Sequence, residues 1–334
     1  MKKYNFIVTK PAGMTLIELL VVISILGLLT VVVLPALSGN RENNANRNAS
    51  QQVSALISQS RNDAISAGRW AGFTVLPPAS GLSDNGLDIA RCRVPPPYRG
   101  DMLSSTVIFD LTNNLSSSVR SVQQGAAGDL LRILDVGVGS GDVITFHGQP
   151  QRYKIWTTPT PGPAGFNIRH VSAGGATPWP PTGVNMTFSI ERQPRVVGST
   201  ISLSNESSID MFWSGWGRVG SYNQFAAGDE VSVLFDDRGT LQELVINGTR
   251  RIINGAVFFL IGRVDRRSQS DTSFNPADDT TGANWQYPTS YWVVIDPVSG
   301  QTRIAECSLQ SVTGLTAMEA SQQYAREGLI SQGL

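Results

Sequence analysis

Lysine, histidine and cysteine are scarce in this chain, and their scarcity limits what the protein can do. Lys154 is the only lysine after Lys10, and the two histidines, His147 and His170, lie far from either cysteine in the sequence. Two histidines and two cysteines at these separations do not give the ligand spacing of a zinc site. A formal net charge of zero argues against a general electrostatic attraction to nucleic acid or acidic lipid. We therefore expect no metal and no cofactor.

Motifs of the common enzyme classes are also missing. The glycine-rich segment 137–141 lacks the lysine of a phosphate-binding loop, and a strand rather than a helix is predicted to follow it. The segment 213–217 contains a serine but not the Gly-x-Ser-x-Gly order of a hydrolase elbow. The chain is therefore predicted not to be an enzyme. A hydrolase with one membrane-spanning helix and a periplasmic domain is a further alternative. The sequence argues against it, because it contains no recognisable set of catalytic residues.

The two cysteines, Cys92 and Cys307, leave their pairing open. If both lie on the outer side of a membrane, a disulfide closing this long loop is chemically permitted and would contribute about 2–4 kcal/mol. An unpaired buried thiol is the ordinary alternative. Both interpretations stand at the level of the sequence.

The longest apolar run begins near the N-terminus, after a short basic segment. Residues 19–34 are apolar except for Ser24, Gly27 and Thr30. A helix from Met14 to Leu34 would be about 30 Å long at about 1.5 Å per residue, which matches the hydrocarbon core of a bilayer. The sequence therefore predicts a membrane-spanning helix at residues 14–35.

An ordinary secretory signal peptide shares the basic start and the apolar stretch, but three features oppose that interpretation. The apolar stretch is too long, and no small-x-small cleavage site follows it closely. The plausible cleavage site instead precedes the stretch, after Gly13. Glu18 places a carboxylate at the start of the apolar segment, where an acidic side chain is costly and calls for a specific role.

These residues resemble the N-terminus of the type IV pilin, pseudopilin and competence-pilin superfamily, whose members carry a class III signal peptide. Members have a short basic leader ending in glycine, a new N-terminal residue, then Thr-Leu-Ile-Glu and a long apolar helix. Gly13, Met14, residues 15–17 and Glu18 match in order and spacing. Pro35 falls where many members have a helix-kinking proline. Met14 departs from the commonest residue at its position, which is phenylalanine.

The resemblance implies a route of processing and assembly. Prepilin peptidase would cut after Gly13, remove the leader of residues 1–13 and expose the amine of Met14, which family members N-methylate. Glu18 of an incoming subunit would then pair with the Met14 amine of a neighbouring subunit. Because leaving one buried charge unpaired costs more than the pair gains, the pair would fix the axial register of the filament.

The resemblance also implies partners and a location. The partners would be prepilin peptidase, other pilins or pseudopilins, the inner-membrane assembly platform and membrane lipid. Under the positive-inside rule the basic leader stays in the cytoplasm, so the chain would cross the bacterial inner membrane once and place its head in the periplasm. After assembly the head would belong to an extracytoplasmic filament.

The apolar half is predicted to continue as an amphipathic helix over residues 36–68. Pro35 removes a helical donor, so we expect a kink or locally melted backbone there, extended by Gly39 and the asparagines of residues 40–48. Gly68 offers a natural stop. Apolar residues recur at helical spacing on one face: Val53, Leu56, Ile57, Ala64 and Ile65.

Residues 69–334 are predicted to form a periplasmic β-rich head, so the expected fold class is α+β. The long helix would pack on a mostly antiparallel, sandwich-like head. The helix-to-strand junction at 60–73 and the hairpin pattern at 230–246 resemble the GspH/FimT family of minor pseudopilins. Further strands are predicted at 107–109, 143–146, 153–156, 184–190, 208–213, 256–261 and 291–295.

Three segments of the head are predicted to differ from this strand pattern. The proline-rich segment 159–181 is expected to be a loop or connector, and the polar segment 268–284 a mobile surface loop. Acidic residues in the latter lack the alternating pattern of a calcium loop, so no metal is assigned to them. Residues 317–330 are predicted to form a short C-terminal helix.

The sequence thus predicts a minor pseudopilin or minor pilin of a type II secretion pseudopilus or a type IV pilus. The alternative is a surface-binding minor pilin, either an adhesin or a DNA-capturing subunit. That alternative would use exposed tryptophans, each of which could instead belong to a core: Trp179, Trp213, Trp216 and Trp285. Arg326 is the only cation after Thr316, which argues against DNA binding by the C-terminal tail.

Overall fold

The computed structural model describes most of the chain after the predicted leader. It describes residues 15–77, 88–110, 119–124, 138, 141–156, 166–171, 179–203, 206–218, 221–226, 228–267, 269–275, 278, 281–308 and 314–327. Within these ranges, side chains are described except at residues 29–41, 110, 119–121, 124 and 273. The predicted leader, with Gly13 and Met14, lies outside the described residues.

A single helix of 52 residues, α1, runs from Leu16 to Ala67. Gly68 ends the helix in the left-handed conformation, with φ of 56°. Its backbone amide donates to the carbonyls of Ala64 and Ile65 in the last turn. The helix is continuous through residue 35, so of the two alternatives at Pro35 the melted backbone is wrong, and a kink stays a prediction. A proline removes one helical donor, whereas the turns on either side keep their hydrogen bonds. Within the described part of the chain, no helix is long and apolar enough to cross a membrane.

In the residues that the structure describes, the head is built from antiparallel strands, one short α-helix and two 3₁₀ helices, Asp271–Ser273 and Asn284–Gln286. Its fold class is α+β, as predicted. The strands are Ala71–Leu76 (β1), Asp88–Arg93 (β2), Val107–Asp110 (β3), Val119–Gln124 (β4), Val143–Phe146 (β5), Arg152–Ile155 (β6), Phe166–His170 (β7), Phe188–Glu191 (β8), Arg195–Val196 (β9), Ile201–Ser202 (β10), Ser207–Ile209 (β11), Gly215–Arg218 (β12), Ser221–Gln224 (β13), Val231–Phe235 (β14), Leu241–Ile246 (β15), Thr249–Ile252 (β16), Ala256–Arg263 (β17), Tyr291–Ile295 (β18) and Thr302–Glu306 (β19). The short helix, α2, is Ala317–Glu327, and the last three residues of the predicted helix lie outside the described range.

The strands form three sheets. The first sheet has the order β10-β2-β1-β14-β15-β16, with β9 also paired to β2. The second has the order β13-β12-β17-β18-β19, with β11 also paired to β17, and the third has the order β3-β4-β7-β6-β5-β8. The third sheet comes entirely from chain between β2 and β9, so it is an insertion into the first sheet.

The main core lies between α1 and the first two sheets. Alternate residues of β17 and β18 point toward α1, because side chains of a strand alternate between its two faces. Ala49, Val53, Leu56, Ile57 and Ala64 supply the face of α1, which confirms most of the predicted apolar stripe. Ile65 is the exception: it is 41% exposed, because it lies at the edge of the apolar face of the helix.

The opposite face of the second sheet is covered as well. The other set of alternating residues in β17 and β18 packs under α2 together with Trp213 and Trp285. Trp292 on β18 donates through Nε1 to the Ser321 hydroxyl of α2 at 3.0 Å. These two covered faces explain why both strands are almost entirely buried.

The third sheet has a separate core of its own, and it corrects the prediction for 159–181. Residues 166–170 form the strand β7 rather than part of a proline-rich loop. Phe166 and Ile168 are buried and alternate with partly exposed residues, and no proline falls within the strand. The prolines flank this segment, so composition over the whole range concealed a short strand.

The predicted mobile loop 268–284 is also partly wrong, because its end is packed. Asn284 is fully buried, and its Oδ1 accepts from the Arg263 amide at 2.9 Å. Its Nδ2 donates to Asp210 Oδ2 at 3.0 Å and to the Arg263 carbonyl at 3.1 Å. A polar segment can enter a core when each of its polar groups is paired in this way.

Candidate functional site

The N-terminal turn of α1 begins with a reciprocal cap formed by Thr15 and Glu18. Thr15 is in an extended conformation, and its hydroxyl oxygen accepts from the Glu18 amide at 3.3 Å. Glu18 Oε2 accepts from the Thr15 amide at 2.9 Å and from the Thr15 hydroxyl at 2.9 Å. This capping box satisfies amides that have no partner within the helix. The Thr-Leu-Ile-Glu sequence therefore starts the helix on physical grounds alone.

Only one carboxylate oxygen of Glu18 takes part in the cap. Oε1 forms no hydrogen bond with any residue that the structure describes, and the whole side chain is exposed. A carboxylate can accept several hydrogen bonds, so the cap leaves capacity for a further donor. Glu18 can thus hold its own helix start and receive a cation from another molecule.

Residues 16–28 of α1 present apolar side chains on every face. Each described side chain in this segment is exposed, and Leu16, Ile17 and Leu28 are at least 70% exposed. The polar group of Ser24 is satisfied internally, since its hydroxyl donates to the Leu20 carbonyl at 2.8 Å. A helix that is apolar all round is stable where lipid or other apolar surfaces surround it. We call residues 16–28 the apolar segment.

Beyond residue 41 the same helix is fixed to the head by polar contacts. Glu42 accepts from Arg263 Nη1 at 3.3 Å, from Arg266 Nη1 at 3.2 Å and from the Thr289 hydroxyl at 3.0 Å. Arg266 is only 1% exposed, and its guanidinium lies 3.6 Å from the ring centroid of Tyr287. Glu42 thus supplies the counter-charge of a buried arginine.

Two asparagines next to Glu42 make similar contacts. Asn43 Oδ1 accepts from the Tyr291 hydroxyl at 2.6 Å. Asn46 is fully buried; it donates to the Thr289 carbonyl at 2.9 Å and accepts from the Ser207 hydroxyl at 2.7 Å. The asparagines that were expected to weaken the helix therefore attach it to the second sheet. Glu42 and Asn46 are four residues apart, so they share one helix face, but nothing in the sequence marks the residues that they contact.

Polar contacts continue toward the end of the helix. Arg61 Nε donates to the Gly239 carbonyl at 3.1 Å and to the Ser299 carbonyl at 2.9 Å, joining turns of the first and second sheets. Asp63 pairs with Arg91 of β2 at 3.0 Å. We call residues 42–67, with these contacts, the anchored segment of α1.

The tryptophans of the surface-binding alternative are packed rather than displayed. Trp213 and Trp285 are buried at 8% and 4% exposure, and Trp216 packs against the main core. Trp179 stacks on Tyr153 with ring centroids 5.4 Å apart. Each of these side chains fills space beside a sheet, which is the packing that the sequence analysis allowed for them, so they do not form an exposed binding surface. Trp156, which the sequence analysis did not single out, is exposed instead.

The cysteines do not form the permitted disulfide. Cys92 and Cys307 are both free and buried, Cys92 on the outer face of the first sheet and Cys307 beneath α2. Burial raises the pKa of Cys92 to about 12 and raises that of Cys307 well above its usual value. Over the part of the chain that the structure covers, no group of three side chains could hold a metal ion.

Comparison with protein-family models finds a match at the N-terminal part of the chain. Residues 9–34 match the family model of the prokaryotic N-terminal methylation motif. No curated protein matches the chain, and no solved structure matches it. The matched segment contains the cap and the apolar segment described above. The motif supports a type IV pilin-like subunit that is processed by prepilin peptidase and assembles with other pilins.

Proposed function

We propose that this type IV pilin-like chain is a minor pseudopilin or minor pilin of the GspH/FimT kind. It would prime or join the filament of a type II secretion pseudopilus or a type IV pilus, and it would not act as an enzyme. Residues 14–35 would span the inner membrane before assembly, with the head in the periplasm. The observation that carries the proposal is the division of α1 into an apolar segment whose side chains are exposed and an anchored segment that packs on the head.

The division of the helix gives each part a role in assembly. The apolar segment would leave lipid and pack against the corresponding helices of neighbouring subunits, where apolar burial supplies the bulk attraction. The anchored segment would transmit the position of that helix to the head through Glu42 and Arg61, whose contacts reach two sheets. A head held in this way would follow its helix into the filament.

The N-terminal turn supports the proposed register device. Cleavage after Gly13 would place a new amine on Met14, one residue before the cap. Glu18 keeps Oε1 available while Oε2 holds the Thr15 amide and hydroxyl. The amine of a neighbouring subunit would therefore meet a carboxylate that is already oriented by its own helix. The apolar surroundings would make an unpaired charge costly and so disfavour other registers.

Replacement of Glu18 tests this function. Glu18→Ala should leave leader cleavage intact, because the carboxylate lies beyond the scissile bond, and should strongly reduce incorporation into filaments. Mass spectrometry of the N-terminus measures cleavage, and pull-down with the other pilins measures incorporation. Thr15→Val is the matched control, since it removes the hydroxyl of the cap and keeps the carboxylate. Normal incorporation of Glu18→Ala would refute the assigned role of this residue.

A further inference from the structure

A polar cavity of about 350 Å³ lies between the third sheet and the first sheet. Lys154 on β6, Trp156 just after it and Arg169 on β7 form one wall. Glu230 and Asn247, at the ends of β14 and β15, belong to the opposite wall. The volume falls in the lower part of the range of small-molecule sites, about 300–1,000 Å³. None of the functions considered above uses this cavity.

Two cations face each other in this cavity. Lys154 and Arg169 are direct partners in the antiparallel register of β6 and β7. Like charges directly opposite each other destabilise a strand pair unless something compensates them. The ion pairs found among the described side chains include neither residue. Partial burial lowers the pKa of Lys154, and the nearby guanidinium of Arg169 lowers it further.

The arginine is held in place by an aromatic ring. The guanidinium carbon of Arg169 lies 3.8 Å from the ring centroid of Trp156, and Trp156 is 46% exposed. Stacking of this kind fixes the plane of the guanidinium and leaves its edge donors to bind a planar or tetrahedral oxyanion. Arg169 is therefore oriented before any ligand arrives.

The opposite wall is also fixed. Asn247 adopts a left-handed conformation with φ of 48°, and its side chain donates to Asp229 at 2.6 Å and accepts from the Glu230 amide at 3.0 Å. Gln193 Nε2 donates to the Gly141 carbonyl at 2.6 Å and to the Gly248 carbonyl at 3.3 Å, which joins the two walls. These hydrogen bonds hold both walls in place, so the shape of the cavity is fixed by the junction between the two sheets.

We propose that this cavity binds an oxyanion, with Lys154 and Arg169 as the ligands of a carboxylate or phosphate group on a small molecule. Arg169 would supply paired donors and Lys154 a point charge. Glu230 would limit the affinity, because its carboxylate lines the same cavity and repels an anion. Inorganic phosphate and an acidic sugar both present a negatively charged oxygen group to Lys154 and Arg169. The acidic sugar also carries a ring, so the two ligands can be distinguished by experiment.

The scarcity of lysine permits a direct test on the full chain in detergent. Lys154 competes for acetylation with Lys2, Lys3 and Lys10 of the leader, so these three serve as internal references on the same molecule. Peptide mass spectrometry would follow acetylation of each lysine with phosphate, with glucuronate, with uncharged glucose and with chloride at matched ionic strength. Phosphate or glucuronate at ten times its Kd should slow the acetylation of Lys154 about tenfold without slowing the references.

Variants that keep Lys154 sharpen the test. Arg169→Gln should weaken protection by phosphate or glucuronate about tenfold or more, because it removes a charge-assisted donor pair. Glu230→Gln should strengthen protection, because it removes the negative charge from the cavity. An unfolded variant would lose protection instead, and thermal unfolding checks that both variants are folded.

Protection of Lys154 by phosphate alone indicates that the site binds a free oxyanion, and stronger protection by glucuronate indicates an acidic sugar. Both outcomes support the site. No protection, or equal protection by glucose or chloride, overturns it. None of these measurements depends on filament assembly.

Discussion

The two described parts of α1 share one secondary structure and differ in almost everything else. The apolar segment, residues 16–28, exposes its side chains on all faces, whereas the anchored segment, residues 42–67, buries one face and pairs its polar groups with the head. Each segment carries a glutamate. Glu18 is exposed and caps its own helix, while Glu42 compensates the buried charge of Arg266. The comparison teaches that a helix can serve two environments by changing its side chains and not its backbone.

The energetic consequence is that the two segments contribute differently to folding of the head. Burying an apolar side chain such as Val53 or Ile57 stabilises a fold by about 1.5–3 kcal/mol. The apolar segment makes no comparable contribution to the head, because its side chains are exposed. Changes in the anchored segment should therefore affect stability, and changes in the apolar segment should affect membrane or filament interactions.

The largest expected effect comes from a matched pair of isoleucines. Ile57 is fully buried and Ile25 is 55% exposed on the same helix. Ile57→Ala should lower the free energy of unfolding of the head by about 2–5 kcal/mol, because it removes buried apolar surface and leaves a cavity. Ile25→Ala should leave it unchanged. Denaturant unfolding of the full chain in detergent gives both values, and equal losses would contradict the division of the helix.

The two glutamates give the next largest effect. Glu42→Ala should lower the free energy of unfolding by about 1–3 kcal/mol, because Arg266 loses the partner of a buried charge. Glu18→Ala should not change the unfolding midpoint of the head. Thermal unfolding followed by near-ultraviolet circular dichroism distinguishes the two variants. If Glu42→Ala were neutral for stability, the polar anchor would have no energetic role.

The smallest expected effect separates two neighbouring asparagines. Asn43 accepts from the Tyr291 hydroxyl, whereas Asn44 is exposed. Asn43→Ala should cost about 0.5–1.5 kcal/mol through the lost hydrogen bond, and Asn44→Ala should be neutral or slightly stabilising because alanine favours the helix. Chemical denaturation of the two variants measures the difference. An equal change in both would show that helix propensity, and not attachment to the head, dominates at this part of α1.

The pattern of short-range signals explains which parts of the fold could be predicted. The long helix, its stop at Gly68 and the strongly apolar strands β1, β14, β17 and β18 follow from local periodicity and composition. Edge and polar strands such as β13 and β16 were not predicted, because their side chains are mostly exposed and show no alternation. Strand β7 was concealed by the prolines that flank it.

The residues of the candidate site also divide into those that the sequence could predict and those that it could not. The cap of Thr15 and Glu18 could be predicted because both partners lie within one turn of helix. Glu42, Asn46 and Arg61 could not, because their partners lie more than one hundred residues away in the chain. The cysteines and tryptophans were ambiguous for the same reason, since only packing decides whether such a side chain is paired, buried or displayed.

The sequence by itself determined the start of α1, the apolar segment, the motif at residues 9–34 and the α+β class, because each depends on residues that are close together in the chain. Only the tertiary structure decided which polar residues anchor the helix, that the cysteines stay apart, and that a third sheet brings Lys154 and Arg169 to a shared cavity. The physical reason is that hydrogen bonds and ion pairs act over a few ångströms. Only folding brings distant parts of the chain within that range.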